Sequence, residues 1–121
     1  FMRLYTKEHL WLDFEDGIVV LGLTSYAISQ LGEITFLTFQ ASDLLNADDS
    51  IACVESVKIA WEIRSPISGR LLAVNRELES SPDKLNHSPE NDGWLCQIIT
   101  QDRQAADWMS PAAYQQYLET L

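Results

Sequence analysis

Lys58 stands in the run Val54-Glu55-Ser56-Val57-Lys58, between two apolar, strand-like stretches, Ile51–Val54 and Ile59–Ile63. The chain has only three lysines: Lys7, Lys58 and Lys84. A primary amine presented at a hairpin tip suits one kind of chemistry. Once it loses a proton it attacks an activated acyl group and forms an amide, which makes it a natural root for a covalently attached cofactor. On that reading the protein carries a group on which other enzymes act and does no catalysis of its own. From the hairpin alone, an ordinary exposed turn lysine is the simpler alternative.

Other residues that could do chemistry are poorly supported. His9 has no second His, Cys or carboxylate at ligand spacing, and His87 lies in a proline-flanked loop, so His9 reads as a structural histidine. Cys53 and Cys96 both lie in apolar contexts and make neither a disulfide framework nor a zinc site; buried free thiols are expected. The serines, Ser56 included, lack a recognisable base partner. No glycine-rich phosphate loop occurs. Trp11, Trp61, Trp94 and Trp108 read as core and cleft walls.

The elements that must hold Lys58 are mostly strands. His9–Phe14 and Ile18–Leu21 flank a tight turn at Glu15-Asp16-Gly17, where Asp-Gly supplies positive φ. Thr24–Leu31 is a short helix, with Thr24 or Ser25 as cap and Gly32 as a left-handed end. Ile34–Phe39 is a strand, and the polar stretch Gln40–Asp49 a surface loop. Ile51–Glu55 and Ile59–Arg64 flank the lysine. In the second arm Ile59, Trp61 and Ile63 share one face, with Ala60, Glu62 and Arg64 on the other. Ser65-Pro66-Ile67-Ser68-Gly69 is a turn in which Gly69 supplies a conformation closed to other residues. Arg70–Val74 and Trp94–Thr100 are strands. Ser80–Pro89 has room for one helical turn, capped by Ser81 with Pro82 first, and Ser110-Pro111 opens a terminal helix over Ala112–Leu121. This predicts a mainly β fold, a small antiparallel sandwich or flattened barrel.

The 121 residues suffice for one domain, expected over residues 2–121 with Phe1 as an appended residue before Met2. Acidic residues outnumber basic ones 18 to 8, for a net charge of −10, which argues against nucleic acid and anionic membranes and favours basic protein partners. No apolar run could span a bilayer, and no secretory signal is visible.

Val54–Lys58 resembles the Val-Glu-Ser-Val-Lys motif of the H protein family of the glycine cleavage system, and Ser65–Gly69 its following Ser-Pro-x-Ser-Gly turn. The resemblance runs along nearly the whole chain. Tyr5-Thr6-Lys7-Glu8-His9 with Trp11, Gly22-Leu23-Thr24, Tyr26-Ala27 and Leu31-Gly32-Glu33-Ile34 match in order. So do Val74-Asn75, Leu78, Pro82, Leu85-Asn86, Pro89, Gly93-Trp94-Leu95, Met109-Ser110 and Tyr114. A lone Glu-Ser-Val-Lys would be weak; the ordered set is specific.

The resemblance implies a barrel-sandwich hybrid of antiparallel strands (lipoyl/biotinyl-like), with short helices and a C-terminal helix. It implies lipoate in amide linkage to Lys58. It also implies a non-enzymatic carrier that takes an aminomethyl group from a pyridoxal-phosphate-dependent glycine decarboxylase to a tetrahydrofolate-dependent aminomethyltransferase, and is reoxidised by dihydrolipoamide dehydrogenase. A lipoate-attaching enzyme would be a further partner, with Glu55 as a residue it reads. A monomer in the bacterial cytosol is expected. Biotin carriers usually set their lysine between methionines, whereas Val57 and Ile59 flank Lys58.

The departures lie near the expected arm cleft. After His9 the family has a glutamate, here Leu10. Ile59 and Trp61 replace small residues and would form cleft wall with Leu10, while Glu62 replaces an aspartate and keeps a cleft carboxylate. These changes lead to the expectation of a chain that is lipoylated but handles the aminomethyl group poorly, and to two alternatives: a lipoyl or octanoyl relay for other enzymes, and an unmodified interaction domain.

Overall fold

The computed structural model describes residues 2–102 and 107–121, so Phe1 lies outside the described residues. The strands are β1 (Met2–Tyr5), β2 (Leu10–Glu15), β3 (Ile18–Leu23), β4 (Ile34–Phe39), β5 (Leu44–Leu45), β6 (Ser50–Ser56), β7 (Ala60–Arg64), β8 (Gly69–Val74) and β9 (Cys96–Ile99). The helices are α1 (Ser25–Leu31), α2 (Glu77–Ser80), α3 (Lys84–His87) and α4 (Pro111–Leu118). Among the described residues the strands form two open antiparallel sheets, six strands in the order β1-β2-β3-β9-β8-β5 and three in the order β4-β6-β7. The sandwich is therefore open, and no closed barrel forms.

Alternating side chains explain the layers. On β2, Leu10 and Leu12 enter the core, where they meet Leu21 and Leu23 of β3, Ile51 and Val54 of β6, and Ile63 of β7. The β2–β3 turn reduces to Asp16-Gly17, both at positive φ (52° and 77°), as a two-residue hairpin turn requires. Trp11 faces away from that core yet is only 1% exposed, because its ring lies over Gly22 and under the Arg3 guanidinium, 4.3 Å from the ring centroid. A Cβ on Gly22 would lie 2.7 Å from that ring. Arg3 in turn holds Asp13 and Glu90, and Glu90 accepts from the Ser25 amide at the start of α1.

Several expectations change. β1 was not foreseen, and β5 interrupts the loop expected over Gln40–Asp49. The stretch after β8 holds two helical turns rather than one. Neither has a side-chain cap: α3 begins at Lys84 after Asp83 in helical geometry, so Ser81 and Pro82 do not open it as expected. Ser81 instead offers its carbonyl to the Lys84 amide. Thr24 does cap α1, accepting from the Ala27 amide at 3.2 Å. Gly32 ends that helix at φ 82°, ψ −152°, which is positive φ with extended ψ and not the left-handed helical end expected. Gly69 has no positive φ; its role is close approach, since a Cβ there would lie 2.3 Å from the Ile99 carbonyl oxygen. Of the two thiols Cys96 is buried, but Cys53 is only half-buried because it faces outward from β6.

Candidate functional site

Lys58 is the middle residue of the exposed three-residue tip, Val57, Lys58 and Ile59, that joins β6 to β7. Ser56 builds that tip. Its amide donates to the Ile59 carbonyl at 2.8 Å, while its hydroxyl oxygen accepts from the amides of Lys58 and Ile59, each at 3.1 Å. A side-chain oxygen thus does what a backbone carbonyl does in an ordinary turn, and these serine-centred local bonds hold the backbone of the exposed lysine root. This role of Ser56 goes beyond the expectation from sequence, although a serine two residues before the turn's apex is a recognised signal.

A second support comes from outside the hairpin. The Val57 amide donates to the Glu33 carbonyl at 3.1 Å, tying the tip to the α1–β4 connection. Gly32 of that connection leaves space for the lysine stem: a Cβ there would sit 3.5 Å from Lys58 Cε. The stem therefore lies along the end of α1, with its ammonium near the helix's C-terminal carbonyl end, where positive charge is favoured.

Two hollows lie beside this hairpin, and Trp61 lines both. One, of about 270 Å³, is bounded by His9, Tyr26, Ala27, Gln30, Leu31, Ile59 and Trp61. The other, of about 190 Å³, is bounded by Glu8, Leu10, Asp48, Trp61, Glu62, Ile63, Arg64, Ser65 and Pro66. Larger depressions occur around the Asp16-Gly17 turn, on the six-stranded sheet, and hold none of the candidate site residues. Lys58 lines neither of the two hollows; the hairpin residues Ile59 and Trp61, rather than size, single them out.

Thus Leu10, Trp61 and Glu62 come together, and Ile59 joins Trp61 on the other side. Leu10 and Ile59 do not line one hollow, as a single cleft would require. Leu10 is only 3% exposed and belongs to the core, offering one edge to the hollow, whereas Ile59 is 53% exposed. Glu62 is exposed and pairs with Arg64 at 2.5 Å, so its charge is partly matched before any ligand arrives. Glu55 stands apart from both hollows, exposed on the outer face of the three-stranded sheet opposite Ala60. Of the four tryptophans, Trp61 alone lines either hollow; Trp11 and Trp94 lie by Arg3, and Trp108 packs tilted against Phe14, centroids 5.6 Å apart.

The sequence profile of the glycine cleavage H-protein family matches residues 3–121. The chain belongs to that family.

The chain is 39% identical over 116 residues to the glycine cleavage system H protein of Staphylococcus epidermidis, covering 94% of this chain and 92% of that one. It is 32% identical over 118 residues to the H protein of Thermotoga maritima, covering 96% and 95%. The crystal structure of the H protein of Mycobacterium marinum superimposes with a TM-score of 0.86 at 27% identity, covering 97% of this chain and 96% of that chain. An H-protein fold therefore sets the Lys58 hairpin and both hollows.

The wall of the apolar hollow is braced by an aromatic cluster. The Tyr114 hydroxyl lies 2.8 Å from His9 Nδ1 and 2.8 Å from Thr24 Oγ1, and Tyr5 stacks on Tyr114 at 4.5 Å. Thr24 Oγ1 already accepts from Ala27, which leaves its hydrogen for Tyr114; Tyr114 can then donate to an unprotonated His9 Nδ1. Burial pushes the His9 pKa down and the Tyr114 pKa up, so both are held neutral, as this chain of bonds needs. His9 sits at φ 68°, outside the strand expected to include it, and this bend turns its ring toward Tyr26 and α4.

Proposed function

We propose that this chain is the lipoyl carrier of a glycine cleavage system, with lipoate joined by an amide to Lys58 Nζ. The observation that carries the reading is a solvent-exposed lysine on a doubly supported hairpin tip, at the position of the family's lipoyl lysine. Amide formation removes the ammonium charge and adds a long apolar arm ending in a dithiolane. The supported root keeps the arm's origin fixed while its end moves among active sites. Tethering replaces diffusion of the intermediate with an effective local concentration.

On this reading the arm receives an aminomethyl group from the pyridoxal-phosphate-dependent glycine decarboxylase. It delivers that group to the tetrahydrofolate-dependent aminomethyltransferase and is reoxidised by dihydrolipoamide dehydrogenase. Glu55, exposed beside the tip, serves recognition by the lipoate-attaching enzyme. The chain contributes no catalytic residue and acts as a monomer. Its bacterial relatives support a place in the bacterial cytosol.

Intact-mass analysis after expression with lipoate and a competent ligase tests the attachment. A single lipoyl adduct, absent from Lys58→Ala, is expected; unmodified protein under the same conditions would favour an interaction domain.

A second reading has a specific observation in its favour. Leu10 stands where the family places a glutamate, and Trp61 divides the space beside the hairpin. The apolar hollow suits an uncharged acyl or dithiolane arm better than a protonated aminomethyl group, which needs a carboxylate partner. This favours a lipoyl or octanoyl relay. Given the glycine decarboxylase and glycine, a relay would load or protect the aminomethyl group far less well than the Staphylococcus epidermidis relative; equal loading and protection removes this reading.

A further inference from the structure

We infer that Asn86 is a positioning residue for lipoate attachment, acting on Lys58 through the α1–β4 connection; this rests on the proposed role of Lys58. Asn86 lies in α3, distant in sequence from the hairpin. Its side-chain amide spans the connection: Nδ2 donates to the Gly32 carbonyl at 2.9 Å, and Oδ1 accepts from the Ile34 amide at 2.9 Å. Both backbone groups need a partner from elsewhere. Gly32 is the C-cap of α1, where carbonyl acceptors lack an intrahelical N–H donor, and Ile34 begins β4 just before a register shift. One primary amide, with a donor and an acceptor side by side, satisfies both.

Between the two pinned residues stands Glu33, whose carbonyl accepts from the Val57 amide, the residue before Lys58. Gly32, the first pinned residue, is the one on which the lysine stem lies. Asn86 thus fixes at both ends the short segment that supports the tip from outside, while Ser56 supports it from within. Buried Leu85 anchors α3 to the core and gives Asn86 a rigid base. An enzyme that must bring an acyl carbon to one Nζ is sensitive to the placement of the lysine root.

A matched control exists in the same molecule. Asn75 also makes two side-chain bonds to the backbone, both donated by Nδ2, to the carbonyls of Asp92 and Trp94 away from the hairpin. The experiment measures lipoylation rate by a lipoate ligase with lipoate and ATP, below enzyme saturation, together with amide exchange at Val57. Asn86→Ala is expected to slow attachment by about tenfold and to speed Val57 exchange by about fivefold. Asn75→Ala, compared at the same margin below its melting temperature, should do neither. Asn86→Asp keeps the oxygen that Ile34 needs but loses the donor to Gly32; it gives an intermediate rate and is the variant to read where Asn86→Ala does not fold. Equal rates in wild type and the Asn86 variants, or equal slowing in Asn75→Ala, would overturn the inference. Absence of any adduct on the wild-type chain would instead defeat the Lys58 reading itself.

Discussion

Two hollows flank Trp61, and they differ in almost every respect that matters to a tethered arm. On one side the walls are Ala27, Leu31 and Ile59, with the rings of Tyr26 and His9. On the other, Glu8, Asp48 and Glu62 face Leu10, with Arg64 the one cation of that lining. A single indole thus separates a place for an uncharged chain end from a place whose field favours a cation. Side-chain size, rather than backbone course, makes this division, because Trp61 occupies an ordinary inward position of β7 in register with Val54.

Leu10→Glu should disturb this contrast most. Leu10 is part of the buried core, so a carboxylate there is desolvated beside three others, and a loss of about 2–4 kcal/mol is expected in denaturant unfolding. The loss should shrink toward acid, where the new group can stay protonated. In the fraction that remains folded, protection of a loaded aminomethyl group should rise. Unchanged stability would mean that this hollow is open water and that the difference between the two sides is slight.

Trp61→Ser removes the partition. The indole is only partly buried, so the expected cost is lower than for a fully buried tryptophan, about 2 kcal/mol. Joining the hollows should lengthen the lifetime of the aminomethyl adduct, measured by its hydrolysis rate. If the lifetime is unchanged while stability falls, Trp61 is only packing.

The smallest effect concerns pH on the apolar side. Burial holds the folded His9 pKa below the ordinary 6.5. As pH falls through about 6.5 the unfolded chain takes up a proton that the folded chain refuses, so the stabilisation is full above that pH and declines below it, down to the lowered folded pKa. The melting temperature should therefore drop between about pH 7.5 and 5.5, and His9→Gln should reduce that drop. A drop of equal size in His9→Gln would assign it to other groups.

Much of this was legible before the fold was known, where a local rule suffices. Glu15-Asp16-Gly17 marked a tight turn, Thr24 or Ser25 a cap, and the alternation of Trp61 and Ile63 an inward face. What was missed depends on distant partners. β1 is a four-residue strand whose identity comes from pairing with Leu12 and Trp11 and not from its own pattern. A glycine after Ser-Pro-x-Ser reads as a turn residue, but Gly69 is small because the Ile99 backbone passes close by, a fact held in another strand. At the site, Lys58 and the departures Leu10, Ile59 and Trp61 stood out as residue types. That Trp61 would divide their space, and that Asn86 would brace the hairpin, required packing between α1, α3 and β7 that no spacing encodes.

The burial of Cys96 has a consequence for redox traffic. Desolvation pushes its pKa up to about 12, so at neutral pH the sulfur stays a thiol, while only a thiolate attacks a disulfide. A dithiolane arm rooted at Lys58 would thus meet no reductant in the core beneath it. Cys96 would therefore be a bystander, and the arm's oxidation state would not be set from the core.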